Sequence, residues 1–284
     1  MQPSGPNAEQ IAYWNEQTGP KWVRLQQRLD EMIGPLGQAG LDRVKPVPGE
    51  RALDVGCGCG ASALEIAERV GAEGSVLGLD ISSVMLERAE ARAREQGLGQ
   101  ARFLAADAQT HPFQEPRFDL VFSRFGVMFF SDPDAAFRNL HAALAPGGRL
   151  GFVCWQAVAR NPWMLVPLSA AAPLLELPPP PSPEAPGPFA FADPDRVRRI
   201  LASAGFEDVA LEPLESEISL GGEASLEEAV AFVLDIGPTA AVLRDQPEPR
   251  EAVTAAVRGA LAPFARPDGV RLPCSAWVVT ARRH

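Results

Sequence analysis

Short apolar runs alternate with longer amphipathic stretches along the 284 residues of this chain. The apolar run 52–55 leads directly into glycines at alternate positions, and the stretch that follows, ASALEIAERV, repeats its apolar residues at helical spacing. A second apolar run, GSVLGLD, ends at Asp80. This succession predicts strand, glycine-rich turn, helix and strand, a βαβ unit that binds a nucleotide-like ligand at the carboxyl edge of its strands.

Further apolar runs predict more strands. They cover residues 102–107 and 118–125, and the second is apolar almost throughout, as a central parallel strand requires. The run 149–155 predicts a fifth strand, 205–214 a sixth and 275–281 a last one. Helical patterns lie between these runs, so the sequence predicts an α/β fold.

The stretch before the first strand is amphipathic over residues 8–33 and is interrupted by a Gly-Pro pair at 19–20. It carries the aromatic residues Tyr13, Trp14 and Trp22. These could pack on the core, or they could form a lid over a ligand, where attraction between a cation and an aromatic face contributes roughly 0.5–2 kcal/mol. Both interpretations stay open at the level of the sequence.

Residues 156–192 are rich in proline and in apolar residues, including Phe189 and Phe191. This composition is too apolar for a plain surface loop, so an inserted cover over a substrate is the preferred interpretation. Helical patterns over 225–236 and 248–264 predict a cap between the last two strands.

Composition narrows the range of partners. A formal net charge of −10 without a basic cluster argues against a nucleic-acid partner, which would need a positive face. Cys57 and Cys59 lie too close together to be crosslinked, and Cys154 and Cys274 are single and have no histidine partners, so free thiols and no metal are expected. Because no apolar run approaches the roughly 18 residues of a membrane span, we expect a soluble, cytoplasmic protein with no membrane partner.

The spacing of the glycines is informative about the ligand. A dinucleotide fingerprint is G-x-G-x-x-G, whereas here the third glycine comes one residue early and Asp54 precedes the first. An anion at that place suits a cationic ligand end better than a pyrophosphate. Asp80 follows Gly60 by 20 residues, the distance at which an acidic side chain can accept both ribose hydroxyls.

The motif D-x-G-x-G-x-G over residues 54–60, with Asp80 after it, resembles the class I S-adenosylmethionine-dependent methyltransferases. The Asp-Ala pair at 107–108 and the pattern L-x-P-G-G-x-L over 144–150 also match that family, and the resemblance covers roughly residues 50–155. It implies S-adenosyl-L-methionine as the cofactor. It also implies a Rossmann-like seven-stranded sheet with an antiparallel last strand, helices on both faces, an N-terminal lid helix and an inserted helical cap.

This resemblance divides the chain into four parts. They are an N-terminal helical lid (1–48), a cofactor-binding Rossmann-like core (49–155), the proline-rich substrate cover (156–192), and the C-terminal half of the sheet (193–284) with its helical cap at about 223–268.

The resemblance also assigns roles. The glycine turn backs the methionine part of the cofactor, Asp80 holds the ribose, and Asp107 accepts the exocyclic amine of adenine. Arg124, or alternatively Lys21 or Arg24, would meet the carboxylate, and Met85 either lies under the adenine or fills the core. The predicted cofactor-binding residues are Tyr13, Trp22, Asp54, Gly56, Gly58, Gly60, Asp80, Ile81, Met85, Asp107, Ala108, Gln109, Ser123 and Arg124.

The predicted reaction is direct in-line transfer of a methyl group to a small apolar or aromatic metabolite, with Trp14, Trp155 and Trp163 as candidate substrate contacts. His111 is the candidate general base if the acceptor arrives protonated, and a plain loop residue otherwise. A homodimer is possible. The alternatives are a protein that binds the cofactor without methyl transfer and a nicotinamide-dependent oxidoreductase.

Overall fold

The computed structural model describes residues 5–114 and 117–284, so residues 1–4 of the predicted lid and residues 115–116 of the predicted core lie outside it. Within the described residues, seven long strands form one sheet in the order β3-β2-β1-β4-β5-β8-β6, and a two-residue strand, β7, pairs with β8. Strands β1 to β5 pair in parallel, whereas β8 runs antiparallel to β5 and β6. The strands are β1 (Arg51–Val55), β2 (Ser75–Asp80), β3 (Ala101–Ala105), β4 (Phe118–Arg124), β5 (Leu144–Trp155), β6 (Glu207–Ser219), β7 (Ala265–Arg266) and β8 (Gly269–Arg282).

Helices connect the strands and cover the sheet, and the predicted α/β Rossmann-like fold is confirmed. One turn of π-helix, Tyr13–Gln17, interrupts the N-terminal helices. The α-helices are α1 (Ala8–Ala12), α2 (Gly19–Arg24), α3 (Gln26–Val44), α4 (Ala61–Val70), α5 (Ser83–Glu95), α6 (Pro133–Ala143), α7 (Pro162–Ala171), α8 (Pro194–Ser203), α9 (Leu226–Val233), α10 (Pro238–Asp245) and α11 (Arg250–Leu261).

Local sequence sets several helix starts. Ser82 caps α5 by accepting from the amide of Met85, and Asp193 caps α8 by accepting from the amide of Asp195. Pro194 occupies the first position of α8, where its missing N–H costs nothing.

The N-terminal helices differ from the prediction. Gly19-Pro20 was expected to interrupt the helix, but the pair begins α2, because proline is tolerated in a first turn. The interruptions fall at Thr18 and Leu25 instead, and α3 then continues to Val44, with Pro35 inside it.

The C-terminal elements also differ. The cap contains α10 between the two predicted helices, and the proline-rich cover contains α7. Strands β6 and β8 are longer than predicted and pair over Ser219 and Arg271 at their far end. The charged residues Glu215 and Glu217 concealed the extension of β6 beyond residue 214, and β6 is an edge strand with alternating exposed positions.

Candidate functional site

The glycine turn between β1 and α4 forms the centre of the site. Gly56, Gly58 and Gly60 have φ of +66°, +54° and +85°, a left-handed backbone that favours glycine. A Cβ at Gly56 would lie 2.7 Å from the Cα of Gly126, because the turn after β1 touches the turn after β4. A Cβ at Gly60 would lie 2.9 Å from the Cβ of Ala89 in α5. The turn therefore packs closely and can present bare backbone to a ligand.

Asp54 lies directly below this turn and is fully buried. Its Oδ2 accepts a hydrogen bond of 2.7 Å from the Ser62 hydroxyl, whereas Oδ1 is buried with no hydrogen-bond partner among the described residues. Burial raises the pKa of Asp54 to about 7, and the Ser62 hydroxyl and the charge of Arg124 act in the opposite direction. An acceptor of this kind suits the positively charged end of a ligand.

The raised pKa predicts a pH dependence of stability. From about pH 4 to pH 7 folded Asp54 binds more protons than unfolded Asp54, so the free energy of unfolding falls as pH rises, by up to about 1.4 kcal/mol per pH unit. In urea unfolding, we expect the free energy of unfolding of the wild type to fall by about 2 kcal/mol more than that of Asp54→Asn between pH 5 and pH 7. Parallel pH profiles for the two proteins would contradict the raised pKa.

Asp80 ties the end of β2 to the glycine turn. Its Oδ2 accepts a 2.8 Å hydrogen bond from the Gly58 amide, and its Oδ1 accepts one of 2.8 Å from the Ser82 amide. Burial raises the pKa of Asp80 to about 6, and these amide hydrogen bonds oppose the shift. Each carboxylate oxygen retains acceptor capacity beyond one hydrogen bond, so a pair of hydroxyls can still be accepted.

Asp107 and Gln109, at the end of β3, are buried and bonded to the N-terminal segment. Asp107 Oδ1 accepts a hydrogen bond of 2.9 Å from the backbone N–H of Gln109, and Asp107 Oδ2 accepts one of 2.8 Å from Asn7 Nδ2. Asn7 Nδ2 also lies 3.2 Å from Gln109 Oε1, and Asn7 Oδ1 accepts from the Ser131 amide at 2.9 Å. Asn7 therefore joins the loop after β3 to the loop after β4.

A charged cluster lies beside the other side of the glycine turn. Asp30, in α3, accepts from Arg124 Nη2 at 3.1 Å and pairs with Arg92 Nη1 at 3.0 Å, and all three side chains are largely buried. Arg92 also donates to the Cys59 carbonyl at 2.7 Å. Two guanidinium groups face one carboxylate, so the cluster carries a net positive charge. A cavity of about 130 Å³ is lined by these three residues and by a second carboxylate, Glu65.

Aromatic side chains lie in two groups, which we call the lid aromatics and the floor aromatics. The lid aromatics are Tyr13, Trp14, Trp22 and Phe129, and Trp14 meets each of the other three edge to face at 5.3–5.7 Å. Trp22 also lines a cavity of about 30 Å³ against the glycine turn. Trp22 thus lies against the turn, and Trp14 contacts Phe129 from the segment after β4.

The floor aromatics are Phe125, Trp155 and Trp163, at the carboxyl ends of β4 and β5 and the start of α7. Phe125 stacks on Trp155 with centroids 4.1 Å apart, and Trp155 meets Trp163 at 5.1 Å. Phe125 has φ of +61°, which is an outlier for a bulky residue. Strained residues of this kind cluster at functional sites.

Other predicted residues take supporting positions. Met85 is buried, with its Sδ 3.9 Å from where a Cβ of Gly58 would lie. The Ile81 carbonyl accepts from Asn15 Nδ2 at 2.9 Å, and the Ala108 carbonyl accepts from Asn139 Nδ2 at 2.8 Å. These contacts hold the ends of β2 and β3 in place.

Some predicted residues lie away from the turn or brace it from behind. Ser123 donates to the Val55 carbonyl at 2.7 Å and accepts from Gly126, so it joins the two turns. Lys21 and Arg24 pair with Asp235, two residues after the end of α9, and not with the charged cluster.

His111 and Phe191 both contact other aromatic residues. The ring of His111 packs edge to face against Phe113, with centroids 4.9 Å apart. Phe191 was expected in the substrate cover, but it is buried in the core against Phe137 and Phe152.

Sequence reasoning missed Asn7, Asp30, Arg92 and Phe125. The two charged residues carry no motif, because they are single residues on amphipathic helices whose partner lies far away in the chain. The backbone of Phe125 has no sequence signature either. Asn7 stands in a polar stretch before the first helix, and nothing there marks it.

Two further findings bear on the class of protein. Among residues 5–114 and 117–284, no three His, Cys, Asp or Glu side chains come together as metal ligands would. The helices of these residues include none with both the length and the apolar character needed to cross a membrane.

The comparisons with known proteins agree with this geometry. Residues 52–148 match the model of a methyltransferase domain family. The chain is 33% identical over 191 residues to nocamycin O-methyltransferase of Saccharothrix syringae, a match that covers 63% of this chain and 67% of the relative. The chain therefore belongs to the class I S-adenosylmethionine-dependent methyltransferases, and the prediction from the sequence motifs is confirmed.

A second relative and a solved structure are also similar to this chain. Over 122 residues the chain is 40% identical to aklanonic acid methyltransferase of Streptomyces sp. strain C5, a match that covers 43% of this chain and little more than half, 56%, of the relative. A solved structure of phosphoethanolamine N-methyltransferase 2 of Haemonchus contortus, in complex with S-adenosylhomocysteine, has a TM-score of 0.60 at 17% identity. The match covers 99% of this chain and 60% of the chain in that structure. At 17% identity the similarity shows the fold alone.

Proposed function

We propose that this protein transfers a methyl group from S-adenosylmethionine to a small apolar or aromatic molecule. The observation that carries the proposal is the convergence of Asp54, Asp80 and Arg124 around one glycine turn at the carboxyl edge of the sheet. The orphaned Asp54 Oδ1 and the left-handed glycines fit a ligand that carries a positive charge and approaches backbone closely.

Each part of the cofactor has a residue of matching chemistry. Asp80 would accept the ribose hydroxyls, since its oxygens already lie at the turn. Asp107 would accept the exocyclic amine of adenine. Arg124 would bind the carboxylate, because a guanidinium group matches a carboxylate with two parallel hydrogen bonds. Asp30, which also pairs with Arg92, holds Arg124 in place. Lys21 and Arg24 pair with Asp235 instead, which favours Arg124 as the cation.

The cofactor, when bound, supplies an electrophilic methyl group on a positively charged sulfur. The protein's own residues then have three tasks: they orient the acceptor, exclude water and, where the acceptor carries a proton, remove it. The lid aromatics and floor aromatics would exclude water from the carboxyl edge. His111 remains the proposed base, for an acceptor that arrives protonated.

The floor aromatics favour a planar, apolar acceptor. Phe125 and Trp155 stack on each other, and a planar acceptor that packed beside this pair would gain roughly 0.5–1.5 kcal/mol per aromatic contact beyond burial. Trp163 and Trp14 would contact the acceptor from α7 and from the N-terminal segment. The names of the relatives, an aklanonic acid methyltransferase and a nocamycin O-methyltransferase, indicate small-molecule acceptors for those proteins and support the same class here.

Incubation with methyl-labelled S-adenosylmethionine and a panel of small phenols, quinones and carboxylic acids tests this function. We expect label in at least one acceptor with the wild type and far less with Asp80→Asn at the same cofactor concentration, because the variant binds the ribose more weakly. A protein that binds S-adenosylhomocysteine tightly yet labels nothing across the panel would favour the alternative of cofactor binding without methyl transfer. Family membership leaves the nicotinamide-dependent alternative without support.

A further inference from the structure

The N-terminal segment fills the adenosine end of the proposed cofactor site. Asp80 and Asp107 are 6% and 8% exposed, and the cavities at the site, about 130 and 30 Å³, lie toward the charged cluster. Small-molecule sites usually measure about 300–1,000 Å³. Asn7 already bonds the Asp107 oxygen that an adenine amine would use, so the segment and the adenine cannot both hold this position.

Two asparagines fasten the segment to the edge of the sheet. Asn15 donates to the Ile81 carbonyl at 2.9 Å and accepts from the Ser83 amide at 3.0 Å. Asn7 is 4% exposed and makes its contacts to Asp107, Gln109 and Ser131 at the ends of β3 and β4. Asn15 therefore meets the ribose side of the proposed site, and Asn7 meets the adenine side.

The contacts of Asn7 have the same chemistry as those of an adenine. A carboxamide carries an NH₂ donor next to an acceptor oxygen, and the edge of adenine carries an NH₂ donor next to an acceptor nitrogen. Asn7 directs its donor to the Asp107 carboxylate and its acceptor to a backbone N–H. The Asp107 oxygen that it occupies is the one not already bonded to the Gln109 amide.

We propose that Asn7 is an internal latch that occupies the adenine subsite and competes with the adenine of the cofactor for Asp107. This inference rests on the proposed function. The apparent affinity for the cofactor is then reduced by the fraction of molecules in which the latch is closed. Release of the latch should raise the affinity for every ligand that carries adenine, with or without an amino-acid end.

Titration of the full chain with S-adenosylhomocysteine and with 5′-methylthioadenosine tests the latch in Asn7→Ala. We expect both ligands to bind about tenfold more tightly than to the wild type, because the variant loses a hydrogen bond to a charged group in the closed arrangement. The matched control is Gln17→Ala, which removes an exposed amide from the same segment and should leave both affinities unchanged.

Amide hydrogen exchange of residues 8–17, measured without any ligand, provides a second readout. It should accelerate in Asn7→Ala and stay at the wild-type rate in Gln17→Ala. Weaker ligand binding by Asn7→Ala would mean that Asn7 supports the bound adenine, and unchanged binding would mean that the contact is inert; either result overturns the latch while leaving methyl transfer intact. Failure of the wild type to bind S-adenosylhomocysteine would overturn the proposed function and the latch together.

Discussion

Asp80→Asn is expected to weaken the binding of S-adenosylhomocysteine by about 100-fold or more, since hydrogen bonds to a charged acceptor contribute roughly 1.5–3 kcal/mol each. The variant loses the acceptor for two ribose hydroxyls. In the wild type the backbone N–H groups of Gly58 and Ser82 both donate to the Asp80 carboxylate. In the variant the side-chain NH₂ group must face one of these two donors. Isothermal titration calorimetry measures the change.

The matched control is Asp119→Asn. Asp119 is a carboxylate of the same sheet, but it binds Arg51 at the opposite edge, where β1 begins. This variant should bind S-adenosylhomocysteine like the wild type. Thermal unfolding of both variants establishes that they are folded. If folded Asp80→Asn binds within about threefold of the wild type, a difference of roughly 0.7 kcal/mol, Asp80 is not the ribose ligand.

Arg124→Gln is expected to weaken the binding of S-adenosylhomocysteine about 30-fold, because loss of a charge-assisted hydrogen bond costs roughly 1.5–3 kcal/mol. The affinity for 5′-methylthioadenosine should stay almost unchanged. Only the first ligand has a carboxylate. The comparison of two ligands on one variant separates loss of the carboxylate contact from a general disturbance of the site. Competition titration against a fluorescent adenosine derivative measures both affinities.

Arg24→Gln is the control for this experiment. Arg24 was the alternative cation in the sequence prediction, but it pairs with Asp235. Its substitution should change neither affinity. A large loss of S-adenosylhomocysteine affinity in Arg24→Gln, with none in Arg124→Gln, would assign the carboxylate to the N-terminal segment after a rearrangement that brings Arg24 to the turn.

The centre of the site could be predicted from the sequence because its determinants are local. Gly56, Gly58 and Gly60 must be glycine for reasons of backbone conformation and close packing, and these reasons leave a regular spacing in the sequence. Asp54 lies near the end of the first apolar run and Asp80 ends the second, so the strand pattern alone places them at one edge. The parallel pairing of these strands follows from the alternation of strand and helix.

The contacts of the N-terminal segment could not be predicted in the same way. Asn7 and Asp107 are 100 positions apart, and Asp30 and Arg124 are 94 apart. Each pair depends on how α1 to α3 pack against the finished sheet, and no local pattern specifies that packing. Polar residues in an amphipathic helix are usually exposed, so a buried Asp30 between two arginines has no distinguishing signal.

The C-terminal part was harder for a different reason. In β6, glutamates alternate with apolar residues, which is typical of an edge strand but also of a solvated loop. Helix α10 begins at Pro238 after Gly237, and such a pair favours a turn as readily as a helix start. Only the pairing of β6 with β8 resolves these alternatives.

The central claim is that the carboxyl edge of β1 to β4 binds a nucleoside that carries a positively charged sulfur. Calorimetric titration of the wild type with S-adenosylhomocysteine, and in parallel with NAD, tests it most directly. We expect S-adenosylhomocysteine to bind with a Kd near about 10 μM, roughly −7 kcal/mol, and NAD to give no measurable heat. A Kd for S-adenosylhomocysteine weaker than about 1 mM, roughly −4 kcal/mol, or tighter binding of NAD, would contradict the account.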